Sequence, residues 1–344
     1  MTPMDPISYI FGRLVHLRAS LYQRGLLPKK RPPGVVISIG NLTWGGSGKT
    51  PFSSFVASWA QERGFRPAII SRGYRGKLSS KRPVLVTDGN KVYHGPKEVG
   101  DEPFMLAKGS NGYPVLICKE RFRAICFAYE RLYRRLFILD DAFQHMGLER
   151  DLDILLLTEN ALKFSDRFSA LHMREPFCAA NRAHCLVYLR EGFKEVVQER
   201  LAPLREMGKP LFLGLLKPKG ILNPDGPSLE GLQILRGLRV FAFAGIARPK
   251  RFLTTLELLG SKVVGFMGFK DHHFYREEDL REINRRSKGA DIVVTTEKDW
   301  VRIRESMPFL GRNFFVLLME IELEEEDVFF EWLCEGIQRS EGHL

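Results

Sequence analysis

Gly48-Lys49-Thr50 closes a glycine-rich stretch that also holds Gly40, Gly45, Gly46 and Ser47. Ahead of it, residues 35–39 are a short apolar run of strand type. Behind it, residues 52–63 read as a helix, with Pro51 just inside the start, where a missing N–H costs little. A strand, a flexible loop and a Lys-Thr pair at a helix start form the layout that cradles a nucleoside triphosphate. There the glycines let backbone N–H groups close round phosphate oxygens. Lys49 reaches the β- and γ-phosphates as a mobile point charge, and the Thr50 hydroxyl ligates Mg²⁺. The general pattern asks for Gly five residues before Gly48, where this chain has Thr43.

Residues 136–140 form an apolar strand ending in the pair Asp140-Asp141. A carboxylate at the C-terminal edge of a strand beside a phosphate loop is the usual holder of Mg²⁺, directly or through water. Parallel sheets also bind their ligands at that edge. The competing reading is a pair of turn-forming Asp residues. Gln144 and His145 follow closely enough to reach the same place. Gly100-Asp101-Glu102-Pro103 puts two acids at a helix start, and spacing alone reads Asp101 as its N-cap. Asp271-His272-His273 and Thr296-Glu297-Lys298-Asp299 each follow a strand-like run; Arg72 and Arg75 follow another, as phosphate ligands or as surface charge. Together these place acids, a histidine and a lysine where strands end in both halves, as a shared cleft requires.

The elements that must position them alternate. Strands are predicted at 66–70, 114–118, 136–140 and 153–158, a hairpin at 84–93 turning on Asp88-Gly89, and helices at 102–108 and 120–133. A less regular stretch runs from 160 to 227, with strands near 185–189 and 211–216. Alternation then resumes, with strands at 240–244, 263–267, 292–295 and 314–319 and helices at 249–259, 277–287, 298–304 and 326–337. Apolar strands alternating with amphipathic helices argue α/β architecture, a parallel sheet covered on both faces. At 344 residues the chain holds about two domains. Dense Pro and Gly put the boundary within 205–235. The resulting division is an N-terminal arm at 1–34, a phosphate-loop lobe at 35–215 and a C-terminal α/β lobe at 216–344.

The formal net charge is +11, a balance suited to an anionic partner. In the arm, Arg13, Arg18, Arg24, Lys29, Lys30 and Arg31 stand against Asp5 alone, and Ile7, Ile10, Phe11, Leu14, Leu17 and Leu21 recur at helical spacing. This is a basic amphipathic helix, suited to an anionic membrane surface or to packing on its own domain. Charges interrupt the apolar run, which excludes a signal peptide, and no stretch is long enough to span a bilayer. Cys118, Cys126, Cys178, Cys185 and Cys334 show neither a CxxC pair nor zinc-ligand spacing and read as reduced core thiols of a cytosolic protein. A GTPase would need an Asn-Lys-x-Asp base reader, and Thr296 to Asp299 have the wrong order. No nucleic-acid module is present, so nucleic acid is not an expected partner, and no obligate protein partner is evident.

Seven segments in order resemble the tetraacyldisaccharide 4′-kinase family, the lipid A 4′-kinases of Gram-negative envelope synthesis. They are 39–43 with 45–51, 71–76, Gly100-Asp101-Glu102-Pro103, Asp140-Asp141-Ala142-Phe143-Gln144-His145, Arg174-Glu175-Pro176, Phe269-Lys270-Asp271-His272 and Thr296-Glu297-Lys298-Asp299. Thr43 is what the loop of this family carries, while Ala142 stands where Gly is expected. The resemblance implies two α/β/α lobes, the first of P-loop NTPase type, joined by a small β linker with the site between them. It implies transfer of the γ-phosphate of ATP to the 4′-hydroxyl of a tetraacylated glucosamine disaccharide 1-phosphate, forming lipid IVA at the cytoplasmic face of the bacterial inner membrane. Residue by residue, it gives Thr43, Gly45, Gly46, Ser47, Gly48, Lys49 and Thr50 to the nucleotide, and Asp140 and Asp141 to Mg²⁺. Asp101 and His272 become a base dyad, with His273 a rival in register. Arg72, Arg75, Gln144 and His145 remain for the substrate.

Overall fold

In the computed structural model, which describes residues 6–165, 168–190, 198–224, 229–304 and 313–342, the apolar runs become strands with helices between them. Asp5 of the N-terminal arm lies outside the described residues. In chain order the elements are α1 (Pro6–Gln23), β1 (Val35–Asn41), α2 (Lys49–Glu62), β2 (Pro67–Ser71), β3 (Val84–Thr87), α3 (Pro96–Val99), α4 (Asp101–Lys108), β4 (Val115–Ile117), α5 (Arg121–Arg131), β5 (Leu136–Asp140), β6 (Leu152–Leu157), α6 (Glu159–Leu162), β7 (Cys185–Arg190), α7 (Ala202–Arg205) and β8 (Leu211–Leu222). There follow β9 (Leu229–Glu230), β10 (Arg239–Ala244), α8 (Pro249–Leu258), β11 (Lys262–Gly268), α9 (Glu277–Arg286), β12 (Ile292–Thr296), α10 (Glu297–Ile303), β13 (Phe314–Leu323) and α11 (Glu326–Glu341). The chain divides into two units, 1–215 with 321–344, and 216–320. It passes from the first to the second within β8 and returns within β13.

In the first unit the strands run β7-β6-β1-β5-β2-β4, all parallel, with β3 antiparallel on β4. Every residue of β1 is buried, which is why it reads as a continuous apolar run rather than an alternation. Register sets Ile39 opposite Asp140, so the loop after β1 and the carboxylates after β5 leave the sheet side by side. On one face, Ala124, Ile125 and Ala128 of α5 pack against Val36, Ile70, Phe137 and Leu139. Phe52, Val56 and Ala60 of α2 are buried at helical spacing.

The last helix belongs to this unit. Phe329 of α11 is fully buried, its ring centroid 5.7 Å from Phe52 and 5.2 Å from Phe212, while Phe330 stacks on Trp59 at 4.5 Å. This differs from the sequence division, which carried the C-terminal lobe through to residue 344. The aromatic pairs of α11 have no periodic signal to say which sheet they cover.

Two smaller readings also change. The second arm of the hairpin predicted at 84–93 is reduced to a single bridge between Thr87 and Val92. Asp88 instead accepts N–H bonds from Asn90 and Lys91 and the Tyr93 hydroxyl, which is enough to close the turn. All five cysteines are free, but only Cys118 and Cys185 are buried; Cys178 is exposed, so the reading of all five as core thiols does not hold.

Helix α1 lies on the first unit through its small residues. Ser8, Gly12 and Ala19 are its buried positions. Ser8 Oγ accepts the Ala170 N–H at 2.9 Å, and Phe11 stacks on Phe168 at 6.0 Å. Ile7, Ile10, Leu14 and Leu17 point outward, Ile7 to 75% exposure. Among the described residues no helix is long and apolar enough to cross a membrane.

In the second unit β11, β10, β12 and β13 are parallel neighbours. Alternation along β10 sends Val240, Ala242 and Ala244 toward Phe252 and Leu256 of α8, and Phe241 and Phe243 toward Leu280 and Ile283 of α9.

The α11 packing carries a stability expectation. Phe329→Ala should lower the unfolding free energy by about 3–5 kcal/mol, as removal of a buried aromatic does. Denaturant titration measures this, and a loss under about 1 kcal/mol would show that α11 merely rests on the unit.

Candidate active site

Gly48 is the N-cap of α2 and adopts φ 81°, a left-handed conformation that side-chain-bearing residues avoid. A Cβ there would also stand 3.0 Å from Leu189 Cδ1. With no side-chain cap, the positive end of α2 is presented to whatever the loop encloses. Asn41, at the end of β1, ties the loop together: its Nδ2 donates to Thr43 O and to Ser47 Oγ, both at 2.8 Å. Gln144 Nε2 in turn donates to Asn41 O at 2.9 Å, so this candidate substrate ligand braces the loop.

Lys49 emerges into a nearly closed charge cluster. Its side chain is only 10% exposed, with Nζ 3.6 Å from Asp141 Oδ1 and 3.5 Å from Ser47 Oγ. Asp141 Oδ1 also accepts from Arg174 Nη1 at 2.6 Å. Arg121 Nη2 donates to the main-chain oxygens of Asp140 (3.0 Å) and Asp141 (2.8 Å). Asp140 is buried, with Oδ1 accepting from Ser53 Oγ at 3.0 Å.

Burial and charge set the protonation. Burial pushes the Lys49 ammonium below its ordinary value, with Asp141 opposing. Asp141 is also penalised by burial, but Lys49 and Arg174 outweigh that and hold it below the ordinary carboxylate value. Burial, then the Glu102 and Asp141 carboxylates, drive Asp140 up to about 7. Negative charge is therefore in excess at Asp140, where a cation would relieve it. Among the described residues no three His, Cys, Asp or Glu side chains form a metal-holding group. Mg²⁺ on a nucleotide needs only one or two protein ligands, since phosphates and water supply the rest. The buried hydroxyl of Thr50, at the second residue of α2, and the Asp140–Asp141 pair are hard oxygen donors suited to that ion.

The other predicted residues sit on other elements. Asp101 is the first residue of α4, and the N-cap is Gly100, not Asp101 as spacing suggested. Gly100 has φ 95°, and a Cβ there would meet Tyr74 O at 2.4 Å, so no side chain can occupy the cap and the acids fall in the first turn. Glu102 next to it acts electrostatically on both Lys49 and Asp140. Arg72 and Arg75 are exposed after β2, Arg75 with φ 63°. His145 is half-buried, and burial together with Arg121, Arg150, Arg18 and Arg72 drives it down to about 4, so at neutral pH it is an uncharged ring.

His272 belongs to the second unit and adopts φ 59°. Its N–H donates to Gly245 O at 3.0 Å, and its Nδ1 lies 3.2 Å from Arg302 Nη2. His273 is engaged elsewhere: Nε2 lies 2.9 Å from Asp279 Oδ2 and the ring stacks on Phe269 at 4.6 Å.

Glu102, Arg121, Arg174, Ser53 and Asn41 carry weight that spacing did not assign. For Arg121 there was a signal: a cation at the first residue of a helix opposes the helix dipole, so something else must hold it. Arg174 stood only as part of a motif. Here its guanidinium also lies over Trp44, 5.1 Å from the ring centroid.

The sequence profile of the Tetraacyldisaccharide-1-P 4′-kinase family matches residues 2–338. The chain belongs to that family. A tetraacyldisaccharide 4′-kinase from Pelobacter propionicus is 39% identical over 302 residues, covering 87% of this chain and 82% of the relative. Another, from Koribacter versatilis, is 35% identical over 351 residues, covering 98% of this chain and all of the relative. The crystal structure of LpxK from Aquifex aeolicus in complex with ATP superposes with a TM-score of 0.74 at 33% identity, over 96% of this chain and 98% of that one. In this tetraacyldisaccharide-1-P 4′-kinase family member Thr43, where the general loop pattern has Gly, is buried and its carbonyl accepts from Asn41 Nδ2.

The raised Asp140 gives this family site a measurable pH dependence. Folding lifts this carboxyl from 3.8 to about 7, so between those values the folded chain keeps a proton that the unfolded chain has released. Its contribution to stability is whole below about pH 4 and is lost as the pH climbs to 7. Asp140→Asn removes that loss. Without nucleotide, this variant should melt higher than the parent above pH 7, with the gap closing toward pH 4. Thermal melts across this range check it, and a gap that does not vary with pH would mean that Asp140 is not the titrating group.

Proposed function

We propose that this chain transfers the γ-phosphoryl group of ATP to the 4′-hydroxyl of a tetraacylated glucosamine disaccharide 1-phosphate. The observation that carries the reading is Lys49, buried against Asp141 on a loop whose register sets it beside Asp140. Family membership and the ATP complex of the Aquifex aeolicus relative support the same assignment.

In this reading the loop from Thr43 to Thr50 wraps the triphosphate with backbone N–H groups and the end of α2. Lys49 leaves Asp141 for the β- and γ-phosphates, and Arg174 keeps Asp141 compensated when it does. Thr50, Asp140 and Asp141 would hold Mg²⁺, which would supply charge neutralisation for the phosphates. Asp101 takes the proton of the 4′-hydroxyl as its oxygen bonds to the γ-phosphorus and the bond to the β-phosphate oxygen breaks, releasing ADP. His272 orients and supports Asp101, and the commitment of His273 to Asp279 favours His272 of the two. Arg72 and Arg75, exposed and basic, are assigned to the phosphates of the substrate. Residues 35–215 with 321–344 are assigned as the nucleotide lobe and 216–320 as the C-terminal lobe.

A rival reading of Thr296 to Asp299 as a guanine reader has no support, because Asp299 is fully buried and bonded to Tyr275, Gly245 and Arg302.

The deciding experiment mixes the protein with Mg-ATP and the disaccharide 1-phosphate lipid and follows the product by mass spectrometry. One added phosphate on the distal sugar is expected. Lys49→Ala, with folding verified by circular dichroism, should cut the rate at least about a hundredfold, as loss of a charge-stabilising donor does. Absence of the new phosphate with folded parent protein overturns the reading.

The substrate carries several acyl chains, so it stays in a bilayer and the enzyme must reach it there. Helix α1 is assigned to the cytoplasmic face of the inner membrane as a peripheral anchor, because its large apolar residues point outward among arginines. Ile10→Asp with Leu14→Asp should reduce sedimentation with anionic vesicles severalfold without changing the melting temperature. Unchanged sedimentation would reassign α1 as a packed helix.

A further inference from the structure

Asp299 is fully buried in the second unit, and its carboxylate collects four donors. Oδ1 accepts from Gly245 N (3.0 Å), Tyr275 OH (2.9 Å) and Arg302 Nη1 (3.0 Å); Oδ2 accepts from Thr296 Oγ1 (2.7 Å). Arg302 Nη1 also donates to Gly245 O at 2.8 Å, and its side chain is only 6% exposed. The guanidinium is thus fixed in its plane by two acceptors on one nitrogen. Gly245 is the hub, where an added Cβ would stand 3.1 Å from Asp299 Oδ1, His273 Cβ and Tyr275 Oη alike.

What this apparatus leaves over is the second arm of the fork, Nη2, 3.2 Å from His272 Nδ1. A guanidinium only donates, so Nδ1 must accept, and the proton of the neutral ring belongs on Nε2. The same Gly245 carbonyl receives the His272 N–H, and the backbone there is held at φ 59°. Both the main chain and the ring of His272 are therefore referred to one rigid clamp. Asp271 Oδ1 lies 4.0 Å from Nε2.

We infer that Arg302, clamped by Asp299, is a positioning residue that fixes the ring orientation and the tautomer of His272. With Nδ1 engaged, a carboxylate partner of His272 can be met only by Nε2–H. This rests on the role given to His272 above and gives Thr296 and Asp299 of the Thr296-to-Asp299 motif a task, holding Arg302 in place.

Two measurements test it. Long-range ¹⁵N–¹H spectra of the unaltered, full-length protein at alkaline pH should show His272 protonated at Nε2, with Nδ1 accepting. A proton found on Nδ1 overturns the inference whether or not any variant folds. Kinetically, Arg302→Met should lower kcat about 10–100-fold, as loss of an orienting partner does, with the KM for ATP unchanged. Arg302→Lys, which can still donate one bond, should recover part of the loss. Arg302→Met combined with His272→Ala should be no slower than His272→Ala alone. Multiplying losses in the double variant would overturn the inference only. Full activity in His272→Ala would overturn the role of the histidine itself, and the inference with it.

Discussion

Lys49, only 10% exposed, faces the less deeply buried Asp141 across 3.6 Å, and the first unit is organised round the cost of keeping them there. Removing two ions from water costs several kcal/mol per ion, and mutual attraction repays this only when other partners satisfy what is left over. Arg174 reaches the same carboxylate oxygen, and Arg121 takes the main-chain oxygens behind it. The Asp140 carboxylate accepts from Ser53 Oγ, while Arg121 donates to the main-chain oxygen of the same residue. The result is a site whose desolvation has been met during folding. Charge brought to it then requires little reorganisation, which is the condition for electrostatic catalysis of phosphoryl transfer.

The backbone carries a second cost. Asp141, Arg75 and His272 all sit at positive φ, where a residue with a Cβ is held against about 1–3 kcal/mol of strain. Each belongs to one of the segments that look like the kinase family. For two of them the restraint is visible: Arg121 grips the Asp141 carbonyl and Gly245 the His272 amide. Strain of this sort survives because neighbouring hydrogen bonds overdetermine the conformation. The same bonds fix where the side chains point.

Much of this was legible in the chain itself. Continuous apolar runs gave the parallel strands, and the Gly-Lys-Thr junction with a strand ending in two acids located the charge cluster, because such features are local and periodic. What could not be read were the long-range partners. Nothing in the spacing joins Arg174 to Asp141 or Ser53 to Asp140. Asp101 looked like a helix cap since acids favour that position. The crowding of Gly100 against Tyr74 O, which moves the cap back by one residue, is a tertiary fact. Likewise α11 has helical periodicity, but only the rings of Phe52, Phe212 and Trp59 say which unit claims it.

Helix α1 shows the same limit from the other side. Its sequence announces an amphipathic helix but leaves open which face is inward. The fold chooses the small residues Ser8, Gly12 and Ala19, an arrangement that lets the helix lie close while giving up most of the hydrophobic gain a packed surface helix takes from its large side chains. A helix that forgoes that gain within its own unit has it to offer to another apolar phase. The contacts that hold α1 also reach the phosphate loop. Ser8 takes the Ala170 N–H, Ala170 O takes the Trp44 indole, and Trp44 N–H bonds His172 O two residues before Arg174. One short segment therefore ties the outward-facing helix to the loop that holds Lys49 and to the arginine that balances Asp141. On the proposed function, in which the acceptor stays in a bilayer, this connection is what would let α1 bring the loop to the lipid.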